Sequence, residues 1–420
     1  MIFKSAKITI FPLLKYGYLF LIGFLLSIPI DIFQRGDEQS GFAISLIILL
    51  FSFFSIFRVK GVDITLFYSA ILLSILSIFY IAFIYNLNPI KSLLSLTYFF
   101  LPITSYFFSQ QLIKSSNNFL FLLKMISFFS VLLSYSLLYT IFISGSGLVR
   151  IDGILQGTFF GLNLTGAYGV HSLATHYLLL IFILVFYLNF NKKIHFFIKI
   201  IYFLTIFIYI YIILLSLSRE LLLALILFFL FYSIYKINIF RTLLLLIGIS
   251  TFVYLFFSSF LNGILFIWDT KLSDSLNALD LNDLSSGRIE LQLIALKQLF
   301  TNPFFGTGFN GYNLNYKDTN DLSGWSTHIY YLTSIWKMGL IAFIFYTLFW
   351  INIFKKMFSK NKEINQQNLF ILFLIIITLL FLNLFWDVFL VPNIMIFFSF
   401  LCGSIISINT NKNNYNNQFI

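Results

Sequence analysis

A single cysteine, Cys402, stands in the 420 residues, so no intrachain disulfide can form and cysteine cannot build a metal cluster. Histidine is almost as scarce. Of the four, His171 and His176 are five apart, which puts them on different faces of a helix, and His195 sits among Lys192, Lys193 and Lys199. Packed or interfacial histidines fit that scatter better than a metal site. Charge is missing too: 10% of residues are charged, where a soluble domain carries about a quarter. That excludes an ordinary soluble globule. No repeat of fixed period is present. Pro102 predicts a kink in one apolar run, but it lacks a counterpart in the other half, so the paired broken helices of an inverted-repeat transporter are not evident. The net charge of +11 is spread along the chain and not gathered on one soluble face, which argues against nucleic-acid binding.

What fills the chain instead is apolar. Hydrophobic residues make up 60% of it and the mean hydropathy is +0.95. A hydrocarbon core of about 30 Å takes roughly 20 apolar residues per helical crossing. Apolar runs fall near 11–30, 42–57, 64–86, 92–110, 119–143, 170–188, 196–215, 221–235, 242–261, 330–354, 369–386 and 391–408. The expected fold is therefore an all-α polytopic membrane protein, one integral domain over 1–420 with about twelve transmembrane helices. The runs at 42–57 and 221–235 are short, and Lys124 interrupts the fifth.

The basic residues orient these runs. With Lys4, Lys7 and Lys15 inside, 17 of the 26 Lys and Arg residues fall on the cytoplasmic side, and 13 of the 15 acidic residues fall outside. The positive-inside rule then predicts that both termini are cytoplasmic and the long polar stretch 262–327 is external. The first run comes after basic residues, and no small-residue cleavage site is found beyond Ile30, so it reads as a retained signal anchor.

Three constellations lie on the external side. In the first, Ser218-Arg219-Glu220 opens a helix directly after another apolar run, which puts Arg219 at the membrane surface. A charge there costs up to a few kcal/mol unless paired or hydrated, so it is either an anchor neutralised by Glu220 or part of a site. The second is Gly287-Arg288 together with the segment 289–300. Ile289, Leu293, Leu296 and Phe300 recur at helical spacing opposite Glu290, Gln292, Lys297 and Gln298. This predicts an amphipathic helix in the outer interface, ending at Asn302 because Pro303 disfavours helix in the residue before it. In the third, Gly306-Thr307-Gly308 leads towards His328, which opens the next apolar run. Closely spaced glycines let backbone amides approach an anion, and imidazole can take a proton near neutral pH. Glycines also simply make turns, and a lone interfacial histidine can be a structural cap.

Taken in order, Ser218-Arg219, Gly287-Arg288, Asn302-Pro303-Phe304-Phe305-Gly306-Thr307-Gly308 and His328-Ile329-Tyr330-Tyr331-Leu332, with Gly339-Leu340-Ile341 beyond, resemble the O-antigen polymerase and O-antigen ligase superfamily of bacterial membrane glycosyltransferases. The motifs cover about residues 215–345; the first half is supported by topology alone. The family usually has Asn directly after the histidine, where this chain has Ile329.

The resemblance implies an inner-membrane enzyme whose external loop, 262–327, is periplasmic and carries part of the site. It implies a donor and an acceptor that are undecaprenyl-diphosphate-linked glycans, with a chain-length regulator and a flippase as partners. Arg219 and Arg288 would hold the departing diphosphate, because a guanidinium fork binds phosphate oxygens in pairs. His328 would orient or deprotonate the acceptor hydroxyl. Arg150, Gly306, Gly308 and Asp387 are further candidates for substrate contact, with Asp387 also placed to pair an arginine. Asp280 and Asp283 are three apart, so the loop holds no Asp-x-Asp pair; neither a metal nor another cofactor is expected. Within the superfamily, polymerase is favoured over ligase. A transporter or flippase for a lipid-linked glycan is the reading from another class, and it would call for charges near the membrane midplane.

Overall fold

A chain inside a bilayer must satisfy its backbone hydrogen bonds internally, and helices do so within one segment. The computed structural model describes residues 2–29, 47–57, 61–86, 88–142, 150–151, 154–155, 158–159, 162–163, 170–216, 218–237, 288–309, 327–359 and 364–416. Every apolar run within these residues is built on helix. They are α1 (Ile2–Ser27), α2 (Ile47–Ile56), α3 (Val62–Tyr85), α4 (Pro89–Phe100), α5 (Thr104–Leu112), α6 (Ser116–Phe142), α7 (Val170–Phe190), α8 (Phe196–Leu215) and α9 (Arg219–Ile237). After these come α10 (Arg288–Thr301), α11 (Tyr330–Met357), α12 (Gln366–Leu382) and α13 (Pro392–Asn416). The run at 242–261 and most of the polar stretch, 262–287 and 310–326, lie outside the described residues. Among those described, seven helical segments are long and apolar enough to cross a membrane. The chain is a multi-pass helical membrane protein.

Where a kink was expected at Pro102, α4 and α5 are separated by a 3-10 turn, Leu101–Ile103, with Pro102 at its centre. Two short hairpins were not anticipated from hydropathy. Strands β1 (Arg150–Ile151) and β2 (Ile154–Leu155) pair antiparallel, as do β3 (Thr158–Phe159) and β4 (Leu162–Asn163). Asp152-Gly153 separates the first pair in sequence, a strong short-range hairpin signal.

Burial sorts the helices into centre and rim. In α13, 94% of the apolar window is buried, and in α7, 83%; in α8 the figure is 33%. The two central helices are therefore walled by protein, while α8 keeps one side towards lipid. Small residues allow the tightest contact: a Cβ at Gly403 of α13 would overlap the Tyr106 carbonyl of α5.

Helices α3 and α11 run antiparallel, and α3 is tied at both ends, to α11 at one and to the residue after α10 at the other. At one end the buried Asp63 carboxylate accepts hydrogen bonds from Tyr106 Oη (2.7 Å), Lys356 Nζ (2.7 Å) and Asn352 Nδ2. A carboxylate buried at that depth is tolerated only with such partners. Twenty-two residues further along α3, about 33 Å at helical rise, Tyr85 Oη accepts from Asn302 Nδ2 at 3.2 Å. The segment that carries α10 therefore lies at the opposite end of the bundle from Asp63 and Lys356.

There α11 is broken. Gly339 has φ 77° and ψ 167° inside the helix. In an unbroken helix Leu340 N–H would donate to the Trp336 carbonyl. Here it donates to Pro303 O (2.9 Å), and the Trp336 carbonyl accepts from Thr307 N–H (2.9 Å). Phe309 N–H donates to the Lys337 carbonyl (3.2 Å), so the 303–309 turn takes up the backbone groups that the kink releases. Added Cβ atoms would overlap the Trp336 carbonyl at Gly306 and the Phe304 carbonyl at Gly339, each at positive φ. Gly339→Ala is thus expected to destabilise the protein by about 2–4 kcal/mol, combining left-handed strain with backbone overlap. A thermal-unfolding scan in detergent should show a clear fall in midpoint. An unchanged midpoint would mean that the kink can straighten without loss.

Candidate functional site

The first-turn residues of α9 and α10 meet. Arg288 Nη1 donates to Glu220 Oε1 at 3.2 Å, and Ser218 Oγ donates to Glu220 Oε2 at 3.1 Å. Both partners of the ion pair remain partly exposed, 28% for the arginine side chain and 21% for the glutamate. Glu220 therefore bridges to Arg288 across 68 positions of sequence. Ser218 precedes the helix as its cap, with its carbonyl accepting from Leu222 N–H (3.1 Å). Arg219 is the first residue of α9 and is exposed. Two helix N-termini, each with an arginine in its first position, thus converge at one end of the bundle. The partial positive charge of a helix N-terminus adds to theirs, and such ends attract anions.

Helix α10 forms where its periodicity predicts and ends at Thr301, just before Asn302-Pro303. Its apolar stripe, Ile289, Leu293, Leu296 and Phe300, is exposed; Phe300 is 82% accessible, as suits a lipid-facing side chain. The opposite side is strapped to α11. Trp336 Nε1 donates to Gln298 Oε1 at 2.9 Å, Ala295 packs with Trp336, and Gln292 Nε2 reaches the Thr327 carbonyl at 3.4 Å. Gln292 lies one helical turn beyond Arg288 on the same side. That strap brings the segment before α11, and His328 with it, alongside the arginine end of α10.

His328 is partly exposed and has φ 59°, the left-handed region that non-glycine residues seldom occupy. The residues on either side of it hold that conformation. Thr327 Oγ1 accepts from Ile329 N–H (3.3 Å), donates to the Ile329 carbonyl (3.1 Å) and lies 2.9 Å from Thr333 Oγ1, while Thr327 N–H donates to Thr333 Oγ1 (2.9 Å). Ile329 is the N-cap of α11 and makes no side-chain cap bond, so these hydroxyls serve the helix start.

Thr333 Oγ1 also donates to Asp387 Oδ1 at 3.3 Å. Asp387, which the sequence offered as a partner for an arginine, is 4% exposed. Lys337 is itself 5% exposed. Sequence reading passed over this lysine although the signal was there: an ionisable residue inside an apolar run marks a site by default.

Gly306 and Gly308 are buried against α11 and α3. The Gly306 amide donates to the Asn302 carbonyl and the Thr307 amide to Trp336 O, so packing alone accounts for the glycines of this turn. Arg150 lies in β1, paired with Leu155, well before α7 in the chain. His176 is a packed histidine, with Nε2 2.9 Å from the Ser27 carbonyl. Among the described residues, no group of three or more His, Cys, Asp and Glu is placed to hold a metal ion. No model of a known protein family matches the chain, and neither does any characterised protein.

Proposed function

We propose that the protein is a membrane glycosyltransferase that polymerises undecaprenyl-diphosphate-linked oligosaccharide repeat units at the periplasmic face of the bacterial inner membrane. The observation that carries this reading is the Arg288–Glu220 contact, which joins the two arginine-bearing helix starts beside the strap leading to His328. Two guanidinium groups at converging helix N-termini suit a diphosphate, whose charge rises as the anomeric C–O bond breaks. Arg219 and Arg288 bind that diphosphate. Glu220 holds Arg288 in place through one nitrogen of its fork, and a guanidinium carries five donors. The acceptor sugar hydroxyl attacks the anomeric carbon, its proton passes to His328, and the lipid diphosphate departs. The chemistry asks for no metal. Gly306, Gly308 and Gly339 act beneath the site, locking the 303–309 turn to α11. Asp387 acts on the His328 side, and Arg150 contacts the outer sugars.

The reading needs about twelve spans, cytoplasmic termini and a periplasmic segment 262–327. A reporter active only in the periplasm should score positive when fused after Asn277 or Asp318 and negative after Lys193 or Lys360. A cytoplasmic score from the 262–327 segment would leave the site without its substrate. Polymerase is distinguished from ligase by what a null strain accumulates. The expected product is single repeat units on lipid A-core, because ligation continues. Polymer left on the undecaprenyl carrier above bare core would make the protein the ligase instead.

A further inference from the structure

Periodicity puts Gln298 on the polar side of α10 with Glu290, Gln292 and Lys297, yet the fold leaves it only 4% exposed. Ala295 and Gln298 are the buried residues of α10, and both lie against Trp336 of α11. An indole N–H can only donate, so the amide oxygen of Gln298 is the atom that faces it, at 2.9 Å. Gln298 Nε2 has no hydrogen-bond partner among the described residues, so the side chain works through that oxygen. Trp336 is firmly placed: it is fully buried, and its carbonyl accepts from Thr307 N–H where the 303–309 turn meets the break in α11. Gln298, Ala295, Gln292 and Arg288, spaced by three, three and four, follow one another along one side of α10.

The polar contacts of α10 differ in strength. The Arg288–Glu220 pair is partly exposed, a kind that holds side chains only weakly, and the Gln292–Thr327 bond is long at 3.4 Å. Breaking the Gln298–Trp336 bond would take the acceptor from a buried indole N–H, which costs more than losing either of the others. The roll of α10 on α11 is therefore set at Trp336 and passed along about 15 Å of helix to Arg288. We infer that Gln298 is a positioning residue for Arg288: its bond to Trp336 fixes the roll of α10, and with it how the Arg288 guanidinium stands relative to Arg219. Paired guanidinium groups hold the two phosphoryl groups of a diphosphate only in a matching geometry, and a roll of α10 would spoil it. The inference rests on the reading of Arg219 and Arg288 as the diphosphate ligands. It adds that their arrangement is set by a buried contact that no ligand touches.

Cross-linking reads the placement directly. In a Cys402→Ala background carrying Glu220→Cys and Arg288→Cys, the rate of joining by a short bis-methanethiosulfonate reports how α9 and α10 face each other. A second pair, Tyr85→Cys with Asn302→Cys, reports the end of α10 that the 303–309 turn holds. Gln298→Met should slow the first reaction about fivefold or more, the effect of removing one buried acceptor, and leave the second unchanged. Trp336→Phe, which removes the donor, should slow the first similarly, and it carries the measurement should Gln298→Met fail to accumulate in the membrane. Gln298→Met with Trp336→Phe removes both polar groups, so the rate should return to within about twofold of the parent. With Glu220 and Arg288 restored, Gln298→Met should shorten glycan chains and the double variant should lengthen them again. An unchanged first rate in Gln298→Met, equal slowing of both pairs, or a double variant slower than either single would overturn the inference. If cross-linking matches expectation while Arg288→Ala leaves chain length untouched, the Gln298–Trp336 contact keeps its positioning role and the polymerase reading falls.

Discussion

Replacing Arg219 or Arg288 by alanine is expected to abolish chain formation while the protein stays in the membrane at its normal level. Removing one preorganised donor from a site of developing charge lowers turnover about a hundredfold to a thousandfold. The structural cost is small by comparison. Arg219 is exposed, and the Arg288–Glu220 contact joins two partly exposed groups, the kind of ion pair that contributes about 0–1 kcal/mol. A large loss of polymer at constant protein level therefore reports on substrate and not on folding. Lysine at either position should restore only part of the activity, since an ammonium carries the charge without the bidentate fork. The ladder of chain lengths on a gel is the measurement. If both alanine variants gave wild-type ladders, the arginines would be lipid-headgroup anchors, and the convergence of α9 and α10 would be only a packing junction.

His328→Ala is expected to reproduce the null phenotype, with single repeat units on lipid A-core. Loss of a general base costs about a hundredfold or more in rate. Alanine also has to adopt φ 59°, at roughly 1–2 kcal/mol. His328→Asn removes that ambiguity, because asparagine tolerates the left-handed region and still lacks a proton acceptor of the right basicity. Both variants should show short chains. Normal chain length in His328→Asn beside short chains in His328→Ala would assign the residue to backbone geometry alone, and normal chains in both would make it a structural cap.

The legible part of the site was local. Arg219 and Arg288 could be picked out because a charge at the edge of an apolar run is conspicuous, and α10 because its apolar residues recur with helical period and Pro303 marks its end. The Asn302–Gly308 segment could be seen, but its contacts could not. The glycines suggested amides facing an anion; in the fold they admit the backbone of α11, whose break at Gly339 leaves carbonyls for the turn to satisfy. Glu220 looked like a partner for its neighbour Arg219, and in the fold it reaches Arg288. Lys337 disappeared into a run counted as apolar, because a single charge hardly changes a windowed hydropathy.

The sequence by itself determined that this is a helical membrane protein, where most of its helices begin and end, and where Pro102 interrupts the regular α-helix. Each of these depends on apolar content and on short-range rules, which need no neighbour in space. Only the tertiary structure decided which polar groups meet. Glu220 with Arg288, Gln298 with Trp336, Thr333 with Asp387, and Asp63 with Lys356 are joined across 38 to 293 positions of chain. Such pairings arise from how the helices pack, because a buried polar group must find a partner wherever packing has placed one.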